Sequence, residues 1–347
     1  MEITVNGVNE ALPAALHILR DAGVRHTAAS VANERPTLEY PGVFITVYEK
    51  PNRNVLFDPV REANPFFHYL ESMWILAGRN DVGFLKTLLG NMANYSDDGH
   101  IYHGAYGYRL RNWKPERDSI FQGIDQIAEA INLLRAKPTT RQVVMSIWNP
   151  DLDLGATTKD MPCNDMIMLK VRDGRLNLTV ANRSNDAIWG AYGANAVQFS
   201  MLQMYIAAQL GLKVGRYTQV SDSMHVYEDT PYWQYFLAND SAPPVDEYAK
   251  LGDANLFESG IELFDHGLSE FFARYEAGAV GEPIESNAID QSSAIGDAFS
   301  MYNALMCYKA GRFDEAEMHA NAIIASDWRL GCCQWLNRRK AKREATK

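Results

Sequence analysis

Apolar residues recur at helical spacing near the start of the chain, where Leu12, Ala15, Leu16, Ile18 and Leu19 mark one face of a helix over 9–23. The texture changes at Gly42–Glu49, GVFITVYE, whose β-branched and aromatic residues ahead of a Pro-Asn turn predict a strand. Residues 65–77, PFFHYLESMWILA, are apolar on almost every side, with Pro65 at the start and Gly78 past the end, so a wholly buried helix is predicted. One carboxylate, Glu71, stands in its middle. Carboxylates are rarely buried unless paired or put to use, which makes Glu71 a functional candidate on pattern alone.

An amphipathic helix is predicted over 120–136, with Pro138 soon after its end. Strands are predicted at Val143–Trp148, Met166–Val171 and Leu176–Asn182, and Arg172-Asp173-Gly174-Arg175 between the last two is a hairpin signal. A long apolar helix over 195–210 closes at Gly211, and 214–220 returns as a strand. Beyond about residue 245 strand patterns vanish and helices follow at 254–277, 290–310 and 312–326. The chain therefore divides into an α+β domain over 1–245 and an all-helical C-terminal extension over 246–347. The segment 308–323, YKAGRFDEAEMHANAI, is similar to one tetratricopeptide hairpin, but no second copy follows at that period, so an ordinary helical hairpin is expected.

Composition narrows the function. The 347 residues are 47% hydrophobic and 22% charged, which suits a globular protein. A formal charge of −10 argues against sequence-independent binding of polynucleotide, which draws on basic surface to displace counterions. The four cysteines, Cys163, Cys307, Cys332 and Cys333, have neither Cys-x-x-Cys nor zinc-knuckle spacing, and a reduced, cytoplasmic protein with no metal is expected. The N-terminus lacks the basic start and unbroken apolar run of a signal peptide, and no window has the length of a membrane span.

Taken singly, Cys163, Arg183, Asn195 and His225 are commonplace: a small buried hydrophobe, a surface cation, a helix cap and a core histidine. Their order and spacing carry more. TTRQVVMSIWN, MPCN around Cys163, NRSNDAIWG from Asn182, Asn195 and HVY from His225 follow one another as they do in thymidylate synthases and the related nucleotide hydroxymethylases, and the chain resembles that family over about residues 30 to 240. Upstream, HYLESMWILAGRND resembles the family's helix with a catalytic glutamate, and AYGYRLRNW its Tyr-Gly segment.

The resemblance implies a mixed β-sheet flanked by helices, and a chemistry that needs these residue types. C5 of a pyrimidine is a poor nucleophile until a thiolate adds at C6, so Cys163 is expected as that thiolate. Arg183 would activate it and bind phosphate, with Ser184 and Arg141 completing the grip. In the family the second arginine pair comes from the partner subunit, so a homodimer with a shared site is implied. Asn195 would read the base, and His225 and Tyr227 would hold the sugar hydroxyl. Glu71 would organise water and relay protons, Tyr106 would assist proton removal, and Asp186 would contact the pterin of 5,10-methylenetetrahydrofolate.

Four departures bear on the reaction. Gln142 follows Arg141 where synthases have a second arginine, so the phosphate grip is thinner or is rebuilt with Arg35. Asn164 follows the nucleophile where synthases have histidine. One additional residue lies between Gly190 and Asn195, so either Asn195 or Ala194 occupies the base-reading position. The chain ends RRKAKREATK rather than in a short apolar closing tail, and Met92 and Tyr95 stand where synthases carry tryptophans. A site that admits water would hydroxylate the exocyclic methylene, so the reading is a phage-type deoxyuridylate hydroxymethylase. The alternatives are a thymidylate synthase, a cytidylate hydroxymethylase and a non-catalytic nucleotide-binding protein.

Overall fold

The structure, a computed structural model, describes residues 1–29, 34–114, 123–239, 247–253, 256–257, 260–285 and 293–345. Its strands are β1 (Glu2–Val5), β2 (Val24–Ala29), β3 (Glu34–Glu39), β4 (Phe44–Tyr48), β5 (Val143–Ser146), β6 (Asn164–Arg172), β7 (Arg175–Asp186) and β8 (Lys213–Tyr227). They form one mixed sheet in the order β1-β4-β8-β7-β6-β5, with β2 joined through β3 to the end of β8. The β1–β4 and β7–β8 pairs are parallel and the others antiparallel.

Strand β8 is twice as long as the apolar run that predicts it, because it has three partners. Tyr217–Ser221 pair with β4, His225–Tyr227 with β3, and most of its length with β7. Backbone pairing therefore carries the chain through the polar run Ser221-Asp222-Ser223 and delivers His225 and Tyr227 to the end of the sheet.

The helices are α1 (Val8–Ala22), α2 (Pro65–Leu76), α3 (Val82–Leu88), α4 (Tyr106–Arg111), α5 (Gln126–Ala136), α6 (Pro150–Asp153) and α7 (Ala196–Gln209). After them come α8 (Pro231–Asn239), α9 (Tyr248–Leu251), α10 (Ile261–Ala277), α11 (Ser293–Lys309), α12 (Phe313–Asn321) and α13 (Ser326–Ala345). The helix predicted from residue 120 begins at Gln126, because Asp125 caps it by accepting the Ala128 N–H at 3.0 Å. Residues 120–122 lie outside the described residues. Strands β1, β2 and β3 carry too few alternating apolar residues to be read from pattern. The stretch RRKAKREA is the last part of α13.

Helix α2 explains the layout. Asn64 caps it by accepting the Phe67 N–H at 3.2 Å, Pro65 fills its first position, and every one of its residues is buried. A helix apolar all round needs cover on all sides. Helix α7 packs on one side, and α11 and α13 on another. The Tyr69 hydroxyl donates to the Ala294 carbonyl at 2.8 Å, and its ring meets Trp328 edge-on at 5.1 Å. Phe66 meets Trp335 at 5.7 Å. Gly331 lets α13 come close, since a Cβ there would sit 2.8 Å from the Val55 side chain. The boundary read near 245 falls outside the described residues, and the helices beyond it share one apolar core with the sheet and α2.

The other side of the sheet is open. Val144, Met166 and Met168 are exposed on it, and Ile45, Val47, Thr179, Thr218 and Val220 continue the surface across the central strands.

Trp328 is fully buried against the helix that carries Glu71, so Trp328→Ala is expected to cost about 3–5 kcal/mol, read as a lowered midpoint in urea unfolding. An unchanged midpoint would mean that α13 does not brace α2.

Candidate active site

Cys163 lies just before β6 and is half-buried. Arg183, on the neighbouring strand β7, fixes that loop: its Nε donates to the Pro162 carbonyl at 2.8 Å and an Nη to the Met161 carbonyl at 3.2 Å. The same Nη reaches Cys163 Sγ at 3.7 Å, and the backbone N–H of Arg183 donates to the Cys163 carbonyl at 3.0 Å. Burial pushes the Cys163 thiol up, the Arg183 guanidinium pulls it down, and Asp160, Asp165 and Asp186 push it up again. The arginine acts in the expected direction and is outweighed by burial. The group is a thiol held beside a fixed cation.

Glu71 projects from α2 toward α7, where Gln198 Nε2 donates to its carboxyl at 2.7 Å. Burial raises its pKa from 4.5 to about 7, against the Gln198 hydrogen bond and with some help from Asp160. It therefore exchanges a proton near neutrality, which suits acid–base work. Tyr106 opens α4 and stacks on Phe199 of α7 at 6.1 Å. Its phenol is pushed up by burial and by the nearness of Cys163 and Asp160.

A π-helical turn, Ala187–Asn195, leads into α7 and covers the stretch read above as one residue longer than in synthases. Its loosened carbonyls find side chains: Arg61 Nε donates to Ile188 O at 2.9 Å and Gln219 Nε2 to Ala191 O at 3.1 Å. Tyr192 is tied to Thr46 of β4 by a 2.8 Å hydroxyl hydrogen bond. The turn leaves Asn195 buried, with its Nδ2 donating to Asn185 Oδ1 at 3.2 Å. Gly190 leaves room there, since a Cβ would stand 3.4 Å from the Asn185 oxygen. Asn195 is thus the residue whose amide lies at the sheet end.

Asp186 caps the π turn, accepting from Ile188 N at 2.8 Å and Trp189 N at 3.4 Å. Burial pushes its carboxyl up, opposed by His225, these amides and Arg61. Arg61 is itself buried, pushed down to about 10 by desolvation, and it stacks 3.9 Å from the centre of the half-exposed Trp189 ring. A half-buried carboxylate, an open indole face and a cation in one corner match a flat ring with N–H donors and an anionic tail, the chemistry of a reduced folate.

His225 is paired across the β7–β8 ladder with Asp186, and its ring meets Tyr227 at 5.1 Å. Arg35 stacks over Tyr227 at 3.9 Å and is ion-paired with Asp229, which raises its pKa. Ser184 follows Arg183 on β7, and its hydroxyl has no hydrogen-bond partner among the described residues. Arg141 stands apart. It is exposed and precedes β5, whose Val143 pairs with Leu169; two residues further along the register lies Val171, eight residues from Cys163 or roughly 26 Å at strand rise.

Three residues that the motif reading passed over belong to this site. Gln198 and Arg61 hold Glu71 and the π turn, and their only signal is a polar residue inside an apolar stretch. Asp160 lies three residues before the nucleophile, and Gly104 N donates to its carboxylate at 2.7 Å. Its field reaches Glu71, Cys163 and Tyr106. Asn164 is wholly buried with the Tyr106 phenol within reach, and among the described residues neither polar atom of its side chain has a partner of full hydrogen-bond geometry.

A family model described as thymidylate synthase matches residues 66–235, which span α2 to α8 and so include Glu71 and Cys163. The chain is 38% identical to a deoxyuridylate hydroxymethyltransferase of Pseudomonas phage M6, over 99% of this chain and 96% of that protein. It is 42% identical to one of Bacillus phage SP01, over 60% of this chain and 58% of that protein. A third, from Delftia phage PhiW-14, is 30% identical over 51% of this chain and 49% of its own. Similarity along nearly the whole chain, added to a thiol, a dry carboxyl and a fixed arginine at one sheet end, makes this protein a member of the thymidylate synthase family, one-carbon transferases that act on a pyrimidine nucleotide with a folate.

Proposed function

We propose that the chain transfers a one-carbon unit from 5,10-methylenetetrahydrofolate to C5 of deoxyuridylate and releases 5-hydroxymethyldeoxyuridylate. The likeness to the phage M6 enzyme along almost the full chain carries this reading. The folate supplies the electrophilic carbon. Cys163 adds to C6 of the ring and so makes C5 nucleophilic. Arg183 keeps the thiol loop in place and shares the phosphate with Ser184 and Arg35. Asn195 reads the base edge, His225 and Tyr227 take the sugar hydroxyl, and Asp186 with Arg61 and Trp189 receives the pterin. Glu71 and Tyr106 move protons to and from the ring.

Met92 and Tyr95 support the choice of product. They lie on the short 3-10 helix Gly90–Tyr95, where Met92 is half-buried and Tyr95 is 50% exposed. Tyr95 is near enough to Tyr227 to raise its phenol, so this segment borders the site. A thioether and an open phenol shield an exocyclic methylene from water less well than two indoles would.

The site is completed by a second copy of the chain. The open sheet face, with Val144, Met166 and Met168, would be covered by the same face of the partner, and Arg141 at the far edge of β5 would reach the partner's phosphate. The protein is expected in the cytoplasm.

With deoxyuridylate and methylenetetrahydrofolate, mass analysis should find 5-hydroxymethyldeoxyuridylate and tetrahydrofolate; stoichiometric thymidylate with dihydrofolate would instead identify a synthase, and turnover of deoxycytidylate alone would reassign Asn195. Cys163→Ala and Arg141→Ala should each be inactive, yet mixed dimers after subunit exchange should regain part of the activity, because each contains one intact site. No recovery between folded, exchanging subunits would sink the shared site. Glu71→Gln should lower turnover by about 10²–10⁴-fold. It should also raise stability at high pH. The unfolded carboxyl loses its proton near 4.5 and the folded one near 7, so between these values the folded chain holds the extra proton and stability falls as pH rises. The variant escapes that loss, worth up to about 3 kcal/mol, so its gain in unfolding free energy should be present at pH 8 and absent at pH 4.

A further inference from the structure

We propose that Asp160 is the base that takes a proton from the water adding to the exocyclic methylene, and so commits the enzyme to a hydroxymethyl product. This rests on the hydroxymethylase reading above. The acid lies three residues before the nucleophile, and its backbone is pressed against Gly104, where a Cβ would stand 2.6 Å from the Asp160 carbonyl oxygen and 3.0 Å from the Pro162 ring. One carboxylate oxygen is held by the Gly104 N–H at 2.7 Å, which fixes the group and leaves its other oxygen without a protein partner among the described residues.

Its neighbours are the reacting groups. Asp160 lies near enough to Cys163, Glu71, Tyr106 and Tyr102 to act electrostatically on each of them. No cation among the described residues pairs with it directly; burial pushes its pKa up, helped by Asp97, against the Gly104 hydrogen bond and the more distant His103 and Arg109. A carboxylate raised in this way and lacking an ion-pair partner is a better base than one locked to an arginine.

A second observation bears on water beside the nucleophile. Asn164, the residue after the nucleophile, is fully buried; the Tyr106 phenol lies within reach of its amide, which among the described residues has no partner of full hydrogen-bond geometry. Leaving a buried amide unmet is unfavourable, and an ordered water usually meets such groups. Asp160 and Asn164 thus flank Cys163 along the chain, and Asp160 keeps one carboxylate oxygen unspent among the described residues.

The step balances without any further reagent. With Cys163 sulfur on C6 and a methylene double-bonded to C5, the water oxygen bonds to the methylene carbon while one of its protons passes to Asp160. The double-bond electrons move onto the ring as an enolate. They then return to form C5=C6 as the C6–S bond breaks, and the departing thiolate recovers the proton.

The test separates water addition from everything before it. Deoxyuridylate with tritium at C5 releases its label when the methylene forms, and product formation reports the steps after that release. Asp160→Asn and Asp160→Ser both keep an acceptor for Gly104 N–H and lack the base, so either one carries the test if the other folds poorly. Tritium release should stay within about threefold of the parent enzyme while 5-hydroxymethyl product falls at least tenfold, and added thiol should capture the stalled methylene. Binding of deoxyuridylate by calorimetry, and the covalent adduct with 5-fluorodeoxyuridylate, whose fluorine cannot leave as a cation, should be unchanged. Product within threefold of the parent, or parallel loss of product and tritium release, would overturn the role of Asp160. Thymidylate from the unaltered enzyme would overturn the hydroxymethylase reading instead, and only the unaltered enzyme reports on that.

Discussion

Everything at this site depends on keeping one carboxyl dry. Glu71 sits on a helix with no exposed residue, and its proton affinity is set by the absence of water more than by any single neighbour. That condition explains the architecture around it. Helix α7 covers one side and supplies Gln198, the lone direct hydrogen-bond partner found for the carboxyl among the described residues, while α11 and α13 close the other side through Ala294, Trp328 and Trp335. The C-terminal helices therefore set the electrostatics of chemistry they do not touch.

The nucleophile obeys the same logic with a different compensation. Cys163 is also pushed toward its neutral form by burial, but a guanidinium pinned by two carbonyls stands at its sulfur. A mobile cation would lose conformational freedom each time it paired with a thiolate; Arg183 has already lost it to the loop. The arrangement holds charge beside the sulfur by geometry alone.

Much of this was legible in the residues themselves. The all-apolar helix with one acid in it, the β-rich runs and the ordered blocks from Met161 to Tyr227 emerge from periodicity and motif. The features that stayed hidden did so for physical reasons. Strands β1 to β3 owe their conformation to ladder hydrogen bonds from neighbours distant in sequence, and local pattern carries no record of those. The length of β8 likewise reflects three pairings rather than its composition. Gln198 and Arg61 look like isolated polar residues until folding brings Glu71 and Ile188 to them. Asp160 is an ordinary loop acid until Gly104 fixes it beside the thiol.

The π turn before α7 has an implication for how such enzymes diverge. One additional residue in a regular helix would rotate everything after it by about 100° and turn its buried face to solvent. Here the wider turn dissipates that rotation, so Gln198 still meets Glu71 while Asn195 takes up the position at the sheet end. A lineage can therefore gain or lose a residue at this point in a single genetic event and change the group presented at the sheet end, with the packing of the core left as it was. Selectivity in this architecture is free to evolve faster than its scaffold.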